Sequence, residues 1–393
     1  MINYFLPLVI FLIPAIGMVS GLSLATTIPL FLIITFIFFK NNLPYQIILQ
    51  KYRLELFFLI WCFLCCFWSL KPIAGLVIYL RVGCVLLLYL LVKDNEQRLE
   101  STKPFILGLA AAIILFFIEY YTQGILSRNF RTFFYFKNDS IFYLYMLDRG
   151  CSLLALISWI MIGILIRDAK YLLSFIFYLF IAYLLHLSDS LASFLGFILG
   201  GITFLISKLF YTKTLQIIFF RLINTGVVLV SLLMPVMVYN IKPLELVTES
   251  LQNIPDSAKH RLFIWNFVAN KILEKPILGH GFSASRNVII SDEEIIEYKE
   301  YRWSPLPLHP HNNILQILFE TGLVGLITFL SLVCKYLNQI NKANEKNSYR
   351  SLSYACFINY YIIGMISFSV WQLWWVCSGV WTAIMIKKYI SNQ

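Results

Sequence analysis

Charged side chains are scarce in this chain of 393 residues: Asp, Glu, Lys and Arg together make up 13% of it, whereas hydrophobic residues make up 60%. Soluble globular domains carry about a quarter charged residues, so this shortage excludes an ordinary soluble domain. Apolar runs of about twenty residues, each long enough to cross a bilayer, recur almost from end to end. The composition therefore predicts an all-α polytopic membrane protein. No basic residue precedes the first apolar run, so we expect no cleavable signal and a retained first span.

Cysteine is absent from the long polar stretch at residues 240–311, which excludes a disulfide framework or a cysteine-based zinc site there. The eight cysteines all fall in or beside apolar runs. The spacing of Cys62, Cys65 and Cys66 resembles that of a metal motif, but inside an apolar run it favours side-chain packing. We therefore interpret the cysteines as structural.

Apolar runs bounded by Lys, Arg, Pro or Gly predict about twelve transmembrane helices, with eleven or thirteen as the alternatives. The predicted spans are residues 4–20, 22–39, 54–70, 73–92, 104–122, 150–167, 171–187, 190–210, 221–239, 313–334, 351–369 and 371–387.

Lysine and arginine are divided unevenly between the loops that join these spans. By the positive-inside rule, both termini are cytoplasmic and the two long loops, 123–149 and 240–312, lie on the outer face. The same asymmetry explains most of the net charge of +11, so no nucleic-acid partner is needed. The chain divides into nine spans at 1–239, a large outer loop at 240–312, and three spans with a cytoplasmic tail at 313–393.

The outer loop contains a stretch with a clear helical pattern. Residues 256–276 predict an amphipathic helix, with Asp256 or Ser257 as its cap and Pro276 as its stop. The residues of this stretch that share one face at helical spacing are Arg261, Trp265, Val268 and Ile272.

The rest of the outer loop leads to the next span. GHGF at 279–282 predicts a turn, and the acidic stretch SDEEIIEYKEYR at 291–302 predicts a solvated, helical patch. Three prolines at 305, 307 and 310 keep the approach to His311 extended.

Polar residues continue into the start of the span that follows. The helix is predicted to begin at about Asn312, so His311 lies at its N-terminus, where free N–H groups and the positive end of the dipole favour a phosphate. Asn312, Gln316 and Glu320 follow at four-residue steps and form a polar stripe, with Glu320 about 12 Å below Asn312. A carboxylate at that depth should face the protein interior and have a partner.

These residues resemble the motifs of the O-antigen ligase family: Arg261-x-x-x-Trp265, Pro276-x-x-Gly279-x-Gly281 and His309-x-His311-Asn312-x-x-Leu315-Gln316-x-x-x-Glu320-x-Gly322-x-x-Gly325. The resemblance is strong over residues 255–330, weaker over 130–210, and limited to hydropathy in the first hundred residues. It implies a GT-C-type glycosyltransferase of the bacterial inner membrane that uses neither metal nor cofactor. It further implies transfer of a glycan from undecaprenyl pyrophosphate to the lipid A–core sugar at the periplasmic face.

One position departs from the family pattern. Many relatives have an arginine after the small polar residues near 190, whereas here Leu191 follows Ser190. If that arginine binds pyrophosphate in relatives, this chain must use another cation. The candidates are Arg149, at the outer end of its span, and Arg81, which we expect to be buried in the fourth span.

The chemistry of the transfer assigns roles to these residues. A pyrophosphate is already a good leaving group, so the enzyme must neutralise its charge and activate the acceptor hydroxyl. The guanidinium of Arg261 suits the first task, and a neutral His311, with its pKa lowered by the helix dipole, suits the second as general base. We expect direct displacement with inversion. The candidates for substrate binding are Arg81, Arg149, His309, Asn312, Gln316 and Glu320.

Each role has an alternative. His309 could fill the loop, Glu320 could be a structural partner, Arg81 could bond to helix-end carbonyls, and Asp189 could cap a helix or contact sugar. At the level of function, an O-antigen polymerase or a protein-glycosylating ligase of the same superfamily fits nearly as well. A transporter or flippase fits less well, because no internal repeat is evident and the polar cluster lies at the outer surface.

Overall fold

The computed structural model describes residues 2–38, 49–93, 101–135, 142–343 and 348–391, and the chain is helical over most of them. Within these ranges, twelve apolar helices occupy the twelve predicted runs: α1 (Ile2–Val19), α2 (Leu24–Phe38), α3 (Arg53–Cys65), α4 (Pro72–Val92), α5 (Lys103–Tyr121), α7 (Asp148–Arg167), α8 (Tyr171–Leu187), α9 (Leu191–Leu209), α10 (Lys213–Asn240), α13 (Asn313–Lys342), α14 (Tyr349–Ile366) and α15 (Leu373–Ile386). Between them lie, among others, α6 (Ile125–Tyr135), α11 (Pro243–Glu249) and α12 (Asp256–Glu274).

Among the described helices, six are long and apolar enough to cross a membrane, namely α4, α5, α7 with the turn before it, α9, α10 and α13. The chain is therefore a helical multi-pass membrane protein. The other apolar helices are shorter or less hydrophobic, so a total of twelve crossings remains a prediction, as does the GT-C architecture.

The helix boundaries that differ most from those predicted are the start of α10 and the end of α13. α10 begins at Lys213 rather than near residue 221, because the Thr212 hydroxyl caps it by accepting the Leu215 N–H at 3.3 Å. Arg221 consequently lies inside a helix and not in a loop. α13 continues to Lys342, beyond the predicted end at 334.

The core is centred on α7, which is buried along almost its whole length. It packs against α1, α8, α9, α14 and α15. Its Trp159 is enclosed, and three tryptophans of α15 are also among the largest fully buried side chains: Trp374, Trp375 and Trp381. Large apolar side chains on facing helices thus surround α7 and fix the position of its N-terminal end, which carries Asp148 and Arg149.

α13 is broken near its start, since Gly322 has the non-helical angles φ 66° and ψ −171°. The backbone groups freed by the break find partners: the Leu323 N–H donates to the Pro276 carbonyl at 2.9 Å, and Trp61 Nε1 donates to the Thr321 carbonyl at 2.9 Å. The turn at Gly279 fits against the break so closely that a Cβ there would lie 2.6 Å from the Gly322 nitrogen. The break is therefore closed by protein and holds the polar segment, residues 240–312, against α13.

The helix predicted at 256–276 forms as α12 and ends at Glu274, ahead of Pro276. The prediction of its cap was wrong, because neither Asp256 nor Ser257 makes a side-chain capping bond. Asp256 is already inside the helix, where its carboxylate accepts from Lys259 Nζ at 3.1 Å.

The predicted helical patch at 291–302 was also wrong. Only a single helical turn forms at 292–294, and Ile296–Tyr298 then pairs with Tyr301–Trp303 as a two-stranded antiparallel hairpin, β1 and β2. The acidic residues suggested a solvated helix, but the β-branched and aromatic residues between them prefer a strand. Within the hairpin, the Tyr298 ring stacks on Trp303 with centroids 5.1 Å apart. The His260 ring of α12 also stacks on Trp303, with centroids 4.9 Å apart. The hairpin therefore packs against α12.

We predict that the polar segment lies outside and the α7–α8 turn inside, because basic residues are concentrated in the loops on the side of that turn. Ile289, which is 90% exposed, and Lys170, which is exposed in the turn, would each be replaced by cysteine and treated in intact cells with a membrane-impermeant maleimide. Only Ile289→Cys should react. Both should react after permeabilisation, and labelling of Lys170→Cys alone in intact cells would reverse the orientation.

Candidate functional site

The candidate site forms where the approach to α13 meets α12 and the turn between α14 and α15. Asn312 caps α13: its Oδ1 accepts the N–H groups of Ile314 and Leu315, both at 3.0 Å. The predicted helix start is therefore confirmed. The cap also uses two of the N–H groups that were expected to bind a phosphate, so an anion must depend mainly on side chains here.

His311 precedes the cap and has a positive φ of 52°, a conformation that turns the chain sharply just before the helix. The backbone on both sides of it is held. Trp265 Nε1 of α12 donates to the Pro310 carbonyl at 2.9 Å, and the His311 N–H donates to His309 Nδ1 at 3.1 Å. The strain of this conformation is thus offset by bonds to α12 and within the approach itself.

The His311 ring is oriented by a main-chain carbonyl. Its Nδ1 lies 2.5 Å from the carbonyl oxygen of Ser367, in the turn 367–372 between α14 and α15. A carbonyl can only accept, so Nδ1 carries the hydrogen and the neutral ring leaves Nε2 with its lone pair. This tautomer is the one that a general base requires.

Burial lowers the pKa of His311 to about 4; the Ser367 hydrogen bond opposes this shift, and the nearby charges of Arg261 and His260 add to it. The expected lowering is therefore confirmed, with burial rather than the helix dipole as its main cause. His311 is neutral at physiological pH and able to accept a proton.

His309 is buried and 4.1 Å from His311, measured between ring centroids. Its Nδ1 accepts from the His311 N–H, so in the neutral ring Nε2 carries the hydrogen; the atom 3.5 Å from it is the Gln372 amide nitrogen, which is itself a donor. Burial, followed by the charges of His311, Arg286 and Arg261, lowers its pKa to about 2. His309 thus holds the turn before the helix through its Nδ1.

Arg261 lies on the predicted face of α12, near His311 and half-buried. Burial lowers the pKa of its guanidinium and the charge of Asp148 opposes that shift, but the group stays a cation. Within the part of the chain that the structure describes, this guanidinium has no hydrogen bond or ion pair. Asp148 acts on it without direct contact, so this partly desolvated cation remains costly unless an anion binds there.

Arg286 is a cation that the sequence did not single out. It lies on the short helical turn Ala284–Asn287, it is exposed, and its charge acts on His309. Over the described ranges its side chain, like that of Arg261, has no hydrogen bond or ion pair. The signal that could have found it is that it is the only arginine of the chain between Arg261 and Arg302.

The polar stripe of Asn312, Gln316 and Glu320 is fully buried. The expectation that Glu320 faces the interior with partners is therefore confirmed. Gln316 bonds to Glu320 at 3.1 Å and accepts the Val370 N–H at 3.2 Å. These side chains lie behind His311, and contact with a substrate, as predicted for them from the sequence, would require them to be uncovered.

The two candidates to compensate for Leu191 are placed differently. Arg81 is exposed on the outside of α4, so the expectation that it is buried was wrong, because its helix turns that position away from its neighbours. Arg149 is half-buried at the start of α7 and packs closely against Gly21. A Cβ added at Gly21 would lie only 2.5 Å from the Cβ of Arg149. Asp148 lies within electrostatic range of both Arg149 and Arg261.

Comparison with known proteins gives a consistent result. A model of the O-antigen ligase family matches residues 175–330. The chain is 43% identical to a protein of Rickettsia felis, over 99% of this chain and 98% of that one, and 45% identical to a protein of Rickettsia bellii, over 100% and 98%. A Rickettsia conorii protein is 43% identical over 99% of this chain and 98% of its own length. All three are named, provisionally, polysaccharide ligases. No solved structure matches significantly.

Proposed function

This chain belongs to the O-antigen ligase family, and we propose that it transfers a glycan from undecaprenyl pyrophosphate to a sugar of the lipid A–core at the periplasmic face of the bacterial inner membrane. The observation that carries this proposal is the pairing of two groups. His311 is neutral with its Nε2 lone pair available, and the half-buried Arg261 beside it makes no direct ion pair within the described ranges, although the charge of Asp148 acts on it. A proton acceptor next to an anion-binding cation suits glycosyl transfer from a pyrophosphate.

In the proposed reaction, the acceptor hydroxyl oxygen attacks the anomeric carbon of the donor glycan. The new glycosidic C–O bond forms as the bond between that carbon and the pyrophosphate oxygen breaks, which gives inversion. The hydroxyl proton passes to His311 Nε2, and the pyrophosphate leaves as an anion held by Arg261 and Arg286. These steps need no cofactor or metal.

The donor itself improves the base. A His311 with a pKa of about 4 binds a proton weakly, whereas a general base works best when its pKa is near the working pH. A bound pyrophosphate brings negative charge close to the ring and compensates the charge of Arg261, so it raises the pKa of His311. His311 therefore becomes a stronger base only when the donor is bound, so in the absence of donor it seldom takes up a proton.

The acceptor distinguishes this proposal from its alternatives. An O-antigen polymerase would lengthen the glycan on a second donor lipid, and a protein-glycosylating ligase would use a polypeptide hydroxyl. The break at Gly322 is a feature that transporters also show, but here Pro276 and Gly279 fill it. Transport thus gains no support from it.

We predict that the purified protein, given undecaprenyl-linked glycan and lipid A–core, joins the two, and that His311→Ala lowers this transfer about 10²–10⁴-fold, because the acceptor loses its base. Donor binding should survive. His186→Ala, in α8, serves as the matched control, and His309→Ala should be milder. Product on gels is compared for donor alone, donor with core, and donor with a protein acceptor.

Lengthened glycan from donor alone would mean a polymerase, and modified protein a protein ligase. Normal turnover by His311→Ala, with His309→Ala or His260→Ala inactive, would show that His311 is not the base.

We predict that Arg261→Lys lowers transfer at least about 10²-fold although the charge is kept, because an ammonium cannot make the two-pronged contact with phosphate oxygens. Arg286→Gln should weaken donor binding, seen as a higher KM for the donor, with a smaller effect on kcat. Both variants should insert into membranes normally.

Arg302→Gln is the control, because Arg302 lies in the same polar segment but is exposed on β2, 3.8 Å from the Glu297 carboxylate. Wild-type transfer by Arg261→Ala would refute the proposed anion site. A variant of Arg302 that behaved like those of Arg261 or Arg286 would show that the positive charge of the segment matters only in sum.

A further inference from the structure

Glu320 carries a carboxylate that no step of the proposed reaction uses. It is fully buried in α13 just before the break at Gly322. Five donors converge on it. They are the Ser283 N–H at 2.8 Å, the Ser285 N–H at 3.3 Å, the Ser285 hydroxyl at 2.5 Å, Gln316 Nε2 at 3.1 Å and Trp371 Nε1 at 2.6 Å.

These partners exclude Glu320 as a proton donor or acceptor in catalysis. Four of the five groups can only donate, and the fifth, the Ser285 hydroxyl, can donate or accept, so both carboxyl oxygens are occupied in either protonation state. No space remains on Glu320 for a substrate hydroxyl. The carboxyl group therefore acts on the protein around it.

The donors come from segments that are far apart in sequence. Ser283 and Ser285 belong to the loop that leads directly into Arg286, and Asn287 Nδ2 fastens that loop by donating to the Ser283 carbonyl at 3.3 Å. Trp371 belongs to the turn 367–372, which also contains the Ser367 carbonyl that orients His311.

The turn 367–372 has two further contacts, one with α13 and one with Phe282 of the polar segment. The Val370 N–H donates to Gln316 Oε1 at 3.2 Å, and Gln316 in turn donates to Glu320. The Trp371 ring packs on Phe282 with centroids 4.5 Å apart. The Ser367 carbonyl is therefore held on one side by α14, where the Ser367 N–H donates to the Ile363 carbonyl at 2.9 Å, and on the other by contacts of its turn that meet at Glu320.

We propose that Glu320 is a positioning residue, which holds the turn 367–372 so that the Ser367 carbonyl fixes the His311 ring, and holds the loop 283–285 so that Arg286 faces the donor. The effect of Glu320 on catalysis rests on the proposed function, whereas its effect on the orientation of the His311 ring does not depend on that function. Glu320 exerts both effects through main chain and turns, without touching a substrate.

The test compares Glu320→Gln with Glu119→Gln. Glu119 is an equally buried carboxylate of α5. It accepts the N–H groups of Leu126 and Ser127, in α6, at 2.7 and 3.1 Å. Both substitutions replace a carboxylate oxygen with an amide nitrogen, which meets one N–H donor at Glu119 and at least two donors at Glu320. A milder variant at the Glu320 cluster is therefore needed as well. Trp371→Phe keeps the aromatic packing and removes a single donor to Glu320, and it serves if Glu320→Gln does not insert.

The first readout needs no substrate. Diethyl pyrocarbonate modifies neutral histidine, and its rate at His311 is followed by mass spectrometry between pH 5 and 7. In the wild type the rate at pH 5 should be close to that at pH 7, because burial and the charges of Arg261 and His260 on α12 keep the ring neutral. In Glu320→Gln the freed ring gains solvent and its pKa moves toward the ordinary 6.5, so the rate at pH 5 should fall about tenfold relative to pH 7.

The second readout is transfer by the purified protein. Glu320→Gln should lower kcat about 10–100-fold, as expected when the partner that orients a functional group is lost. Trp371→Phe should act in the same direction but less strongly. Glu320→Asp, which keeps the charge, should recover part of the loss, and Glu119→Gln should match the wild type in both readouts.

An unchanged pH dependence of His311 modification in both Glu320→Gln and Trp371→Phe would overturn the proposal. Equal losses of kcat in Glu320→Gln and Glu119→Gln, without a change at His311, would also overturn it, because the carboxylate would then only stabilise the fold. If the wild type lacked transfer while Glu320→Gln still changed the titration of His311, the positioning would stand and the proposed function would fail.

Discussion

The hydrogen bond from His311 Nδ1 to the Ser367 carbonyl is the contact on which the proposed chemistry depends. It joins two segments 56 residues apart and decides which ring nitrogen keeps its lone pair. Every neighbouring feature serves this contact or uses it. Trp265 holds the chain at Pro310, just before His311, and Asn312 caps the start of α13. The turn that contains Ser367 is held by the bond from Trp371 to the buried Glu320.

Charge and burial act against each other in this site. Arg261 is half-buried with no direct ion pair in the described chain, and burial lowers its pKa and that of His311, so the desolvation of these two groups is electrostatically unfavourable. A bound anion would relieve both costs at once. The cap on α13 matters here too, because Asn312 consumes N–H groups that a phosphate could have bound. Binding of an anion therefore depends on arginine side chains. The absence of an arginine at position 191 is significant for this reason, and Arg286 is a candidate to replace it.

Much of the fold and part of the site could be predicted from the sequence. Hydrophobic runs and prolines gave the apolar helices, α12 and the start of α13, because such patterns report local structure. The contribution of Ser367 could not be predicted, since it acts through a main-chain carbonyl that any residue would supply. Arg286 was not predicted, because the loop at Gly279–Ser285 brings it near His309 and no sequence spacing indicates that proximity. The hairpin at 296–303 was missed because its charges outweighed its aromatic and β-branched residues in the interpretation.

The central claim is that His311 is a neutral base with its proton on Nδ1. Nuclear magnetic resonance of the purified protein with ¹⁵N-labelled histidine measures this directly, because the two ring nitrogens have different shifts when protonated and unprotonated, and His311→Gln assigns the signals. We predict a protonated Nδ1 and an unprotonated Nε2 for His311 from pH 8 down to about pH 5, in line with its pKa of about 4. A proton on Nε2, or a doubly protonated ring at neutral pH, would contradict the account.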